Sequence, residues 1–228
     1  MAGRLLLYIT LVTAMSGCQQ TTYREMGAVG KADSQLERRV DYRLGSGFYA
    51  NAPDCAALRT RTRVPRAFRD IVEQSVERHL ATRLMRVIGP VRLRRAESRL
   101  GIDMGVVSDR RVFARQARCP ALVEIALHEI SDDYFVLWAQ RGIAMTLTMT
   151  RIADGKILWS ARHRASRSDG GIPLSLLSLP FSAARAARFK NDPELFASIA
   201  DDAVRRMMKT LPDTREHGFT GRSLGVLR

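Results

Sequence analysis

The segment from residue 143 to residue 159 constrains the fold most strongly, because large apolar residues recur at every second position in its first half, residues 143–149. A period of two is typical of a β-strand with one buried face. Asp154-Gly155 follows the alternating stretch, and residues 157–159 form a second apolar run. Asp-Gly is the preferred centre of a two-residue hairpin, in which both central residues take positive φ, so the pattern predicts a β-hairpin. The alternating apolar residues are Ile143, Met145, Leu147 and Met149.

Two amphipathic helices are predicted, one before the hairpin and one after it. The first covers about residues 66–88 and is expected to stop at Gly89-Pro90, since proline cannot continue the hydrogen-bond ladder. The second covers about residues 193–210, with Asp192 as a cap before Pro193 at the first helical position. Their apolar stripes, spaced by three and four residues, consist of Phe68, Ile71, Val72, Val76, Leu80, Leu84 and Val87 in the first, and Leu195, Phe196, Ile199, Val204, Met207 and Met208 in the second.

The remaining elements give weaker patterns. Residues 56–63 predict a short strand, and residues 121–138 predict either a strand pair with a turn at residues 131–133 or one long bent strand. Residues 91–96 are consistent with another strand, and a short helix is expected within residues 97–115. Helices and strands are therefore expected to share one α/β domain.

The amino terminus has the three zones of an export signal. Arg4 is followed by an apolar stretch, residues 5–12, which is too short to span a bilayer because a span needs about 20 apolar residues. Met15-Ser16-Gly17-Cys18 resembles the lipobox of bacterial lipoproteins, so residues 1–17 are predicted to be a signal peptide and Cys18 the lipid-attachment residue. The alternatives are an ordinary secretory signal with a chance cysteine and a cytosolic protein with an apolar start.

The residue after the lipobox cysteine bears on sorting among such lipoproteins, and here it is Gln19 rather than aspartate. The resemblance implies anchoring in the outer membrane with the folded part in the periplasm. Residues 18–51 are polar and aperiodic, which predicts a flexible tether. Residues 52–212 are then expected to form the periplasmic domain, and residues 213–228 a loose tail.

The chain is strongly basic, with a formal net charge of +14, and arginine accounts for nearly all of the excess. Such an arginine content can come from a GC-rich genome as easily as from binding of phosphate. The runs Arg92–Arg95 and Arg110-Arg111 would attract phosphate or anionic lipid headgroups. Nucleic acid is not expected as a partner, because export removes the chain from it and no nucleic-acid-binding motif is present.

Cys55 and Cys119 are the cysteines left once Cys18 is assigned to lipid. An even pair in the oxidising periplasm favours a disulfide bond over two free thiols. On the chain-entropy model, closing a loop of about 65 residues would stabilise the fold by roughly 4 kcal/mol.

Residues 152–163, Ile-Ala-Asp-Gly-Lys-Ile-Leu-Trp-Ser-Ala-Arg-His, and residues 167–171, Arg-Ser-Asp-Gly-Gly, resemble a hairpin of envelope lipoproteins. That group is related to the curli-secretion lipoprotein CsgG and the TolB amino-terminal domain. The resemblance covers roughly residues 53–211 and implies a mixed or antiparallel sheet packed by helices. It further implies an accessory role in envelope assembly or export, often as an oligomer and without substrate turnover.

Motifs for catalysis are missing from the sequence. His128 and Glu129 are neighbours in a predicted strand and should point to opposite faces. Glu124 and His128 share a face, but no second histidine completes a zinc motif, and no Gly-x-Ser-x-Gly elbow is present. We therefore predict a non-catalytic accessory protein without metal or cofactor, with envelope or export proteins as partners. Residues 172–181, an apolar stretch bounded by proline, are either a buried crossover or an exposed contact for self-association, and the contact is favoured. The alternatives are a lipid-anchored hydrolase using Glu124 and His128, and a binder of anionic lipid or polysaccharide.

Overall fold

The computed structural model describes residues 21–24, 40–61, 64–135, 138–170 and 193–215. They form one α/β domain built on a seven-stranded mixed sheet. The predicted fold class, a single α/β domain with a mixed sheet, is confirmed. Cys18, Asp192 and the proposed contact segment 172–181 lie outside the described residues.

The sheet has the order β1-β7-β6-β5-β3-β4, and β2 also pairs with β7 beside β1. β3 is parallel to both β4 and β5, whereas the pairs made by β1, β2, β6 and β7 are antiparallel. The strands are β1 (Thr21–Arg24), β2 (Asp41–Leu44), β3 (Cys55–Thr60), β4 (Arg86–Ile88), β5 (Ala121–Phe135), β6 (Trp138–Arg151) and β7 (Ile157–Gly170).

The predicted hairpin is formed by β6 and β7, but its turn is longer than predicted. The Arg151 N–H donates to the Lys156 carbonyl at 2.9 Å, so four residues form the loop. Gly155 has a φ of 73°, while Asp154 stays at negative φ. The Gly155 N–H also donates to the Arg151 carbonyl at 2.8 Å. One left-handed residue therefore closes the loop, in place of the two that a two-residue turn requires.

Among the described residues, four α-helices flank the sheet: α1 (Arg66–Leu80), α2 (Pro90–Leu100), α3 (Val107–Ala117) and α4 (Pro193–Met208). The helix predicted for residues 193–210 is confirmed. The helix predicted for residues 66–88 ends eight residues early, because the chain turns after Leu80 and lays β4 beside β3. Gly89-Pro90 begins α2 instead of stopping α1, with Pro90 at the first helical position, where its missing N–H costs nothing.

Two further weak predictions are resolved by this arrangement. Residues 91–96 are helical, not extended, and lie within α2. Residues 121–135 form one long strand without a turn at residues 131–133.

The two faces of β3 separate two apolar cores. Ala56 and Leu58 point to the larger core, which α1 and α4 cover, and Cys55 and Ala57 point to a smaller core beneath α2 and α3. Every residue of the predicted α4 stripe is buried in the larger core. Trp159 is fully buried there as well, and its indole N–H donates to the Thr210 hydroxyl at 3.0 Å. The domain is thus three-layered over β3 and the start of β5.

Part of the region predicted as a tether belongs to the domain. β2 pairs with β7 from Trp159 to Arg162, and a short 3-10 helix at residues 49–51 follows. Phe48 is completely buried in the larger core, and the Gly45 N–H donates to the Leu158 carbonyl at 2.8 Å. Near the other terminus, the buried Thr214 hydroxyl donates to the Pro53 carbonyl at 2.9 Å. The domain thus includes residues on both sides of the predicted boundaries 52 and 212.

Candidate binding cleft

Cys55 and Cys119, the predicted disulfide pair, are joined in the structure, with their Cα atoms 5.0 Å apart. Cys55 begins β3, and Cys119 lies two residues before β5, which is the parallel neighbour of β3. Both side chains are fully buried in the smaller core. The disulfide therefore joins the two ends of the segment that begins with β3, contains α2 and α3, and returns to the sheet at β5.

His128 and Glu129 lie on the same face of the sheet, contrary to the expectation for neighbours in a regular strand. The pairing of β5 with β6 shifts register between Leu127 and Glu129, which is a β-bulge at His128. The His128 ring lies 2.8 Å from the Thr146 hydroxyl, while Glu129 forms an ion pair with Arg164. Both residues are exposed.

Glu124, the other residue of the hydrolase hypothesis, is engaged elsewhere. Its carboxylate lies 3.4 Å from the Arg110 guanidinium, which also donates to the Met104 carbonyl at 2.7 Å. Glu124 and His128 therefore each contact a different partner. The described contacts do not join them into an acid–base pair.

Sequence reasoning missed a charged cluster between α1 and α4. One carboxylate oxygen of Asp201 accepts hydrogen bonds from Ser75 at 2.9 Å and Arg78 at 2.6 Å, and His79 lies 2.9 Å from it. Burial alone would raise the pKa of Asp201, but hydrogen bonds from Arg78, His79 and Ser75 outweigh it and lower the pKa below its usual value. Because the serine contacts the aspartate and not the histidine, the cluster lacks the order of a catalytic triad. Asp201 is 122 or more positions from each of its three partners, so no local motif shows the cluster.

The predicted basic runs are partly neutralised within the domain. Arg92 and Arg94 of α2 lie 3.5 Å and 3.7 Å from Glu77 and Glu73 of α1. Arg110 is taken up by Glu124, as described above. Arg92, Arg94 and Arg110 therefore join α2 and α3 to the rest of the domain, whereas Arg95 and Arg111 form no ion pair within the described residues.

Arg111, the second residue of the predicted run Arg110-Arg111, belongs to a set of arginines on α3 and at its carboxyl end that remains open. Arg111, Arg115 and Arg118 follow at spacings of four and three, which places them on one face of the helix and at its end. All three are exposed, and none forms an ion pair within the described part of the chain. With Arg151, they line a cleft of about 500 Å³ between α3 and the turn of the β6–β7 hairpin. We call this the arginine cleft.

The floor of the arginine cleft is apolar. It consists of small or branched side chains next to the disulfide, namely Ala114, Cys119, Pro120, Ile152 and Ala153.

Arg151 is fixed in place by its own turn. It donates to both carboxylate oxygens of Asp154 and to the side-chain oxygen of Asn51. The hydrogen bond from Arg151 lowers the pKa of Asp154 to about 2. Arg151 therefore has its acidic partner, whereas Arg111, Arg115 and Arg118 have none among the residues that the structure describes.

The carboxyl end of α3 is unusual in its backbone. Arg118 has a φ of 47°, the left-handed conformation that glycine adopts most readily, and Gly101 ends α2 in the same conformation. The carbonyls of Ala117 and Arg118 accept hydrogen bonds from Arg86, so the negative end of the helix is offset by a cation. The negative end of the helix is therefore compensated where it meets the cleft.

Two other kinds of feature are absent from the described residues. No helix there is long and apolar enough to cross a bilayer. No group of three or more histidine, cysteine, aspartate or glutamate side chains in the same part of the chain is placed to hold a metal ion.

No protein-family model matches the sequence, and no curated protein is significantly similar to it. Among solved structures, the chain is similar to the PelC dodecamer from Paraburkholderia phytofirmans, at 14% identity over 75% of this chain and 96% of that one, with a TM-score of 0.38. It is similar to lipoprotein GNA1162 from Neisseria meningitidis, at 14% identity, over 60% of this chain and 99% of that one, with a TM-score of 0.39. The C-terminal domain of LpoB from Salmonella enterica matches at 14% identity over 49% of this chain and 81% of that one, with a TM-score of 0.35.

Bacterial lipoproteins are thus among the structural neighbours of this domain. At these TM-scores the likeness carries no argument about function. None of the three structures is a curli-secretion lipoprotein or a TolB domain, so that family resemblance stays a prediction.

Proposed function

We propose that this protein is a lipid-anchored, non-catalytic accessory of the bacterial envelope, exported, cut before Cys18 and acylated on that residue. Its domain would lie in the periplasm, held at the outer membrane. The observation that supports it best is the sequence Met15-Ser16-Gly17-Cys18, which resembles a lipobox and follows an apolar stretch. β1 begins at Thr21, three residues after the proposed lipid. The lipidated cysteine would then be attached almost directly to the sheet, without a long linker between them.

The pairing of β1 with β7 gives the anchor a mechanical role. Thr21–Arg24 pairs antiparallel with Arg164–Arg167. Three residues reach at most about 10 Å, so the β1 end of the sheet would stay close to the bilayer surface. Two lipid signals already hold a protein stably at a membrane, and several acyl chains on one cysteine would make release negligible.

The charged clusters support a role without catalysis. Glu124, Glu129 and Asp201 are each held by an arginine, and His79 and His128 contact Asp201 and Thr146. A general acid or base needs a reachable proton and a tuned partner beside a substrate pocket. These groups instead join elements of the domain to one another, which favours work through binding of envelope or export proteins and through self-association.

The anchor is tested by metabolic labelling with a radioactive fatty acid, followed by membrane fractionation. The wild-type protein should carry label and sediment with outer membranes, and Cys18→Ala should lose both properties. Ser16→Ala is the matched control, because it keeps a small residue in the lipobox and should be labelled as wild type. Labelling that persists in Cys18→Ala, or an unlabelled wild-type protein, would contradict the proposal.

The accessory role is tested by chemical cross-linking in intact cells. A specific envelope protein, or a second copy of this chain, should be captured by the acylated wild type and lost with Cys18→Ala. A strictly monomeric protein that captures no envelope component would count against it.

A further inference from the structure

The arginine cleft has charges that its own fold does not use. Arg111, Arg115 and Arg118 surround it without an acidic partner in the described part of the chain, and the nearby Asp154 is engaged by Arg151. Keeping like charges at helical spacing of three and four destabilises a helix. The arrangement is therefore complementary to an anionic partner.

The apolar floor indicates that the partner also carries apolar groups. Alanine, proline, isoleucine and the disulfide offer dispersion contacts and no aromatic platform or side-chain hydroxyl, so a sugar chain would find few hydrogen bonds there. A small inorganic anion would leave the floor uncovered. The volume of about 500 Å³ falls within the range of ligand pockets. The fitting ligand is both apolar and acidic.

The position of the cleft bears on whether such a ligand comes from the anchoring membrane or from a protein. Ile152 and Ala153 of the cleft lie at the hairpin turn, whereas β1 pairs with β7 at Arg164–Arg167, near the other end of the strand. About ten residues of extended strand separate the two places, which is roughly 30 Å. If the proposed anchor is correct, the cleft faces away from the membrane that holds it, which disfavours lipid headgroups of that membrane and favours a protein.

The backbone of Arg118 adds an independent observation. A glycine would take its left-handed conformation at no steric cost, as Gly101 does at the end of α2. An arginine at this position destabilises the fold through steric strain in its backbone, but it adds a cation to the cleft.

We propose that the arginine cleft binds an acidic segment of a partner protein, with apolar side chains on the floor and carboxylates against Arg111, Arg115 and Arg118. The choice of a protein over a membrane rests on the proposed function, whereas the acidic and apolar character rests on the cleft alone.

Binding is measured by fluorescence anisotropy with the full-length protein in zwitterionic detergent. The probe is a fluorescein-labelled peptide of alternating leucine and glutamate. The peptide should bind saturably and weaken steeply as salt rises. Peptides with glutamine for glutamate, or with serine for leucine, should bind at least about tenfold more weakly, because each loses one of the two complementary features.

Two paired variants test whether the named arginines are responsible. Arg111→Gln with Arg115→Gln should weaken peptide binding at least about tenfold. Arg95→Gln with Arg99→Gln is the matched control, since both residues are exposed on α2 without an ion pair in the described residues and line a separate hollow. The control should change binding less than about twofold. If both variants lost the same amount of peptide binding, the cause would be the overall charge of the protein and not the cleft, and the proposal would be overturned.

Two single variants separate binding from folding. Arg118→Gly should weaken binding of the peptide. The unfolding temperature should stay the same or rise, because glycine adopts the left-handed backbone conformation without steric strain. Asp154→Asn should strengthen binding of the peptide, because it removes the acidic group beside the cleft and frees Arg151 to contact the ligand. A parallel loss of binding and stability in Arg118→Gly, or weaker binding in Asp154→Asn, would contradict the proposal.

Competition identifies the source of the ligand. Inorganic phosphate that displaces the peptide at comparable concentration would indicate a small-anion site and overturn the proposal. Phosphatidylglycerol vesicles that compete through the same three arginines would overturn it in favour of a lipid surface. Because these assays need no bilayer anchor, their outcome is separate from that of the fatty-acid labelling experiment.

Discussion

At the scale of single residues, Asp201 contributes to stability by joining two helices that are distant in sequence. Ser75, Arg78 and His79 of α1 converge on its carboxylate, while α1 and α4 together cover the larger core. Hydrogen bonds to a charged group contribute more than neutral ones, but a side chain that is 38% exposed keeps part of its hydration.

Asp201→Asn should therefore lower the free energy of unfolding by about 1 kcal/mol. Urea denaturation at neutral pH measures the change. Asp70→Asn is the control, since Asp70 is exposed and lies 3.4 Å from its neighbour Arg66 on the same helix, so its loss should cost less than about 0.5 kcal/mol. Equal effects of the two substitutions would show that the cluster adds nothing beyond a surface ion pair.

The same carboxylate predicts a dependence on pH. The pKa of Asp201 is lower in the folded chain than its ordinary value of 3.8, so the unfolded chain binds a proton more readily. Stability from this group is complete about one pH unit above the unfolded value of 3.8 and is lost as the pH falls through the lowered folded pKa. Denaturation curves between pH 5 and pH 2 should show a smaller decline for Asp201→Asn than for the wild type. Identical declines would contradict the assignment.

Residue-level contacts were the least predictable part of the site. The sequence indicates that Arg92, Arg94 and Arg110 are basic, but their acidic partners come from other elements. The packing of α2 against α1 brings the first two to their partners, and the packing of α3 against β5 brings Arg110 to Glu124. The bulge at His128 has no local signature either, so alternation along β5 placed Glu129 on the wrong face. The stripe at residues 111, 115 and 118 could have been found from its helical spacing once α3 was recognised.

At the scale of elements, the segment from β2 to the 3-10 helix is tightly packed against β7. A Cβ added at Gly45 would lie 2.5 Å from the Ile157 carbonyl oxygen, which is backbone and cannot rotate away. A Cβ at Gly47 would meet the Asn51 side chain at 3.4 Å, an acceptable contact.

Gly45→Ala should accordingly reduce the free energy of unfolding by about 1 to 3 kcal/mol, as overpacking does elsewhere. Gly47→Ala, two positions along, should change it by less than about 0.5 kcal/mol. Thermal and urea unfolding of both variants decide the matter. If Gly45→Ala were as stable as the wild type, this segment would behave as the tether that its polar sequence suggests.

The disulfide acts on the segment that contains α2 and α3. Cys55 and Cys119 are 64 positions apart, so their bond restricts a long loop in the unfolded chain. Replacing both by alanine should lower stability by about 2 to 4 kcal/mol. The reductant dithiothreitol should produce a similar loss in the wild type and none in the double variant. A wild-type protein that is indifferent to reductant would argue for two free thiols.

Strong periodic patterns predicted the elements well, and boundaries less well. The alternation at residues 143–149 and the stripe of α4 each describe one continuous buried face, so both elements were recognised. The end of α1 was missed because Leu84 and Val87 keep the helical spacing although one lies in a turn and the other in β4. Burial alone cannot distinguish these cases, since both side chains enter the same core.

At the scale of the whole molecule, the proposed anchor and the arginine cleft lie toward opposite ends of β7. β1 would hold the end near Arg167 at the bilayer, and the hairpin turn would extend outward with the cleft. This orientation depends on the pairing of β1, since without it the chain from residue 19 to residue 39 could reach roughly 70 Å.

A quencher attached to lipid headgroups tests the orientation in reconstituted vesicles. A fluorophore on Ser166→Cys should be quenched strongly, and one on Ala153→Cys weakly, because about 30 Å of strand separates the two. Thr22→Pro with Tyr23→Pro should reduce the quenching at residue 166. In an antiparallel pair one of two successive residues donates its N–H to the partner strand, and proline has none to donate. Equal quenching at both positions, or no effect of the prolines, would mean that the domain is not oriented by β1, and the cleft would then be as accessible to the membrane as to a protein partner.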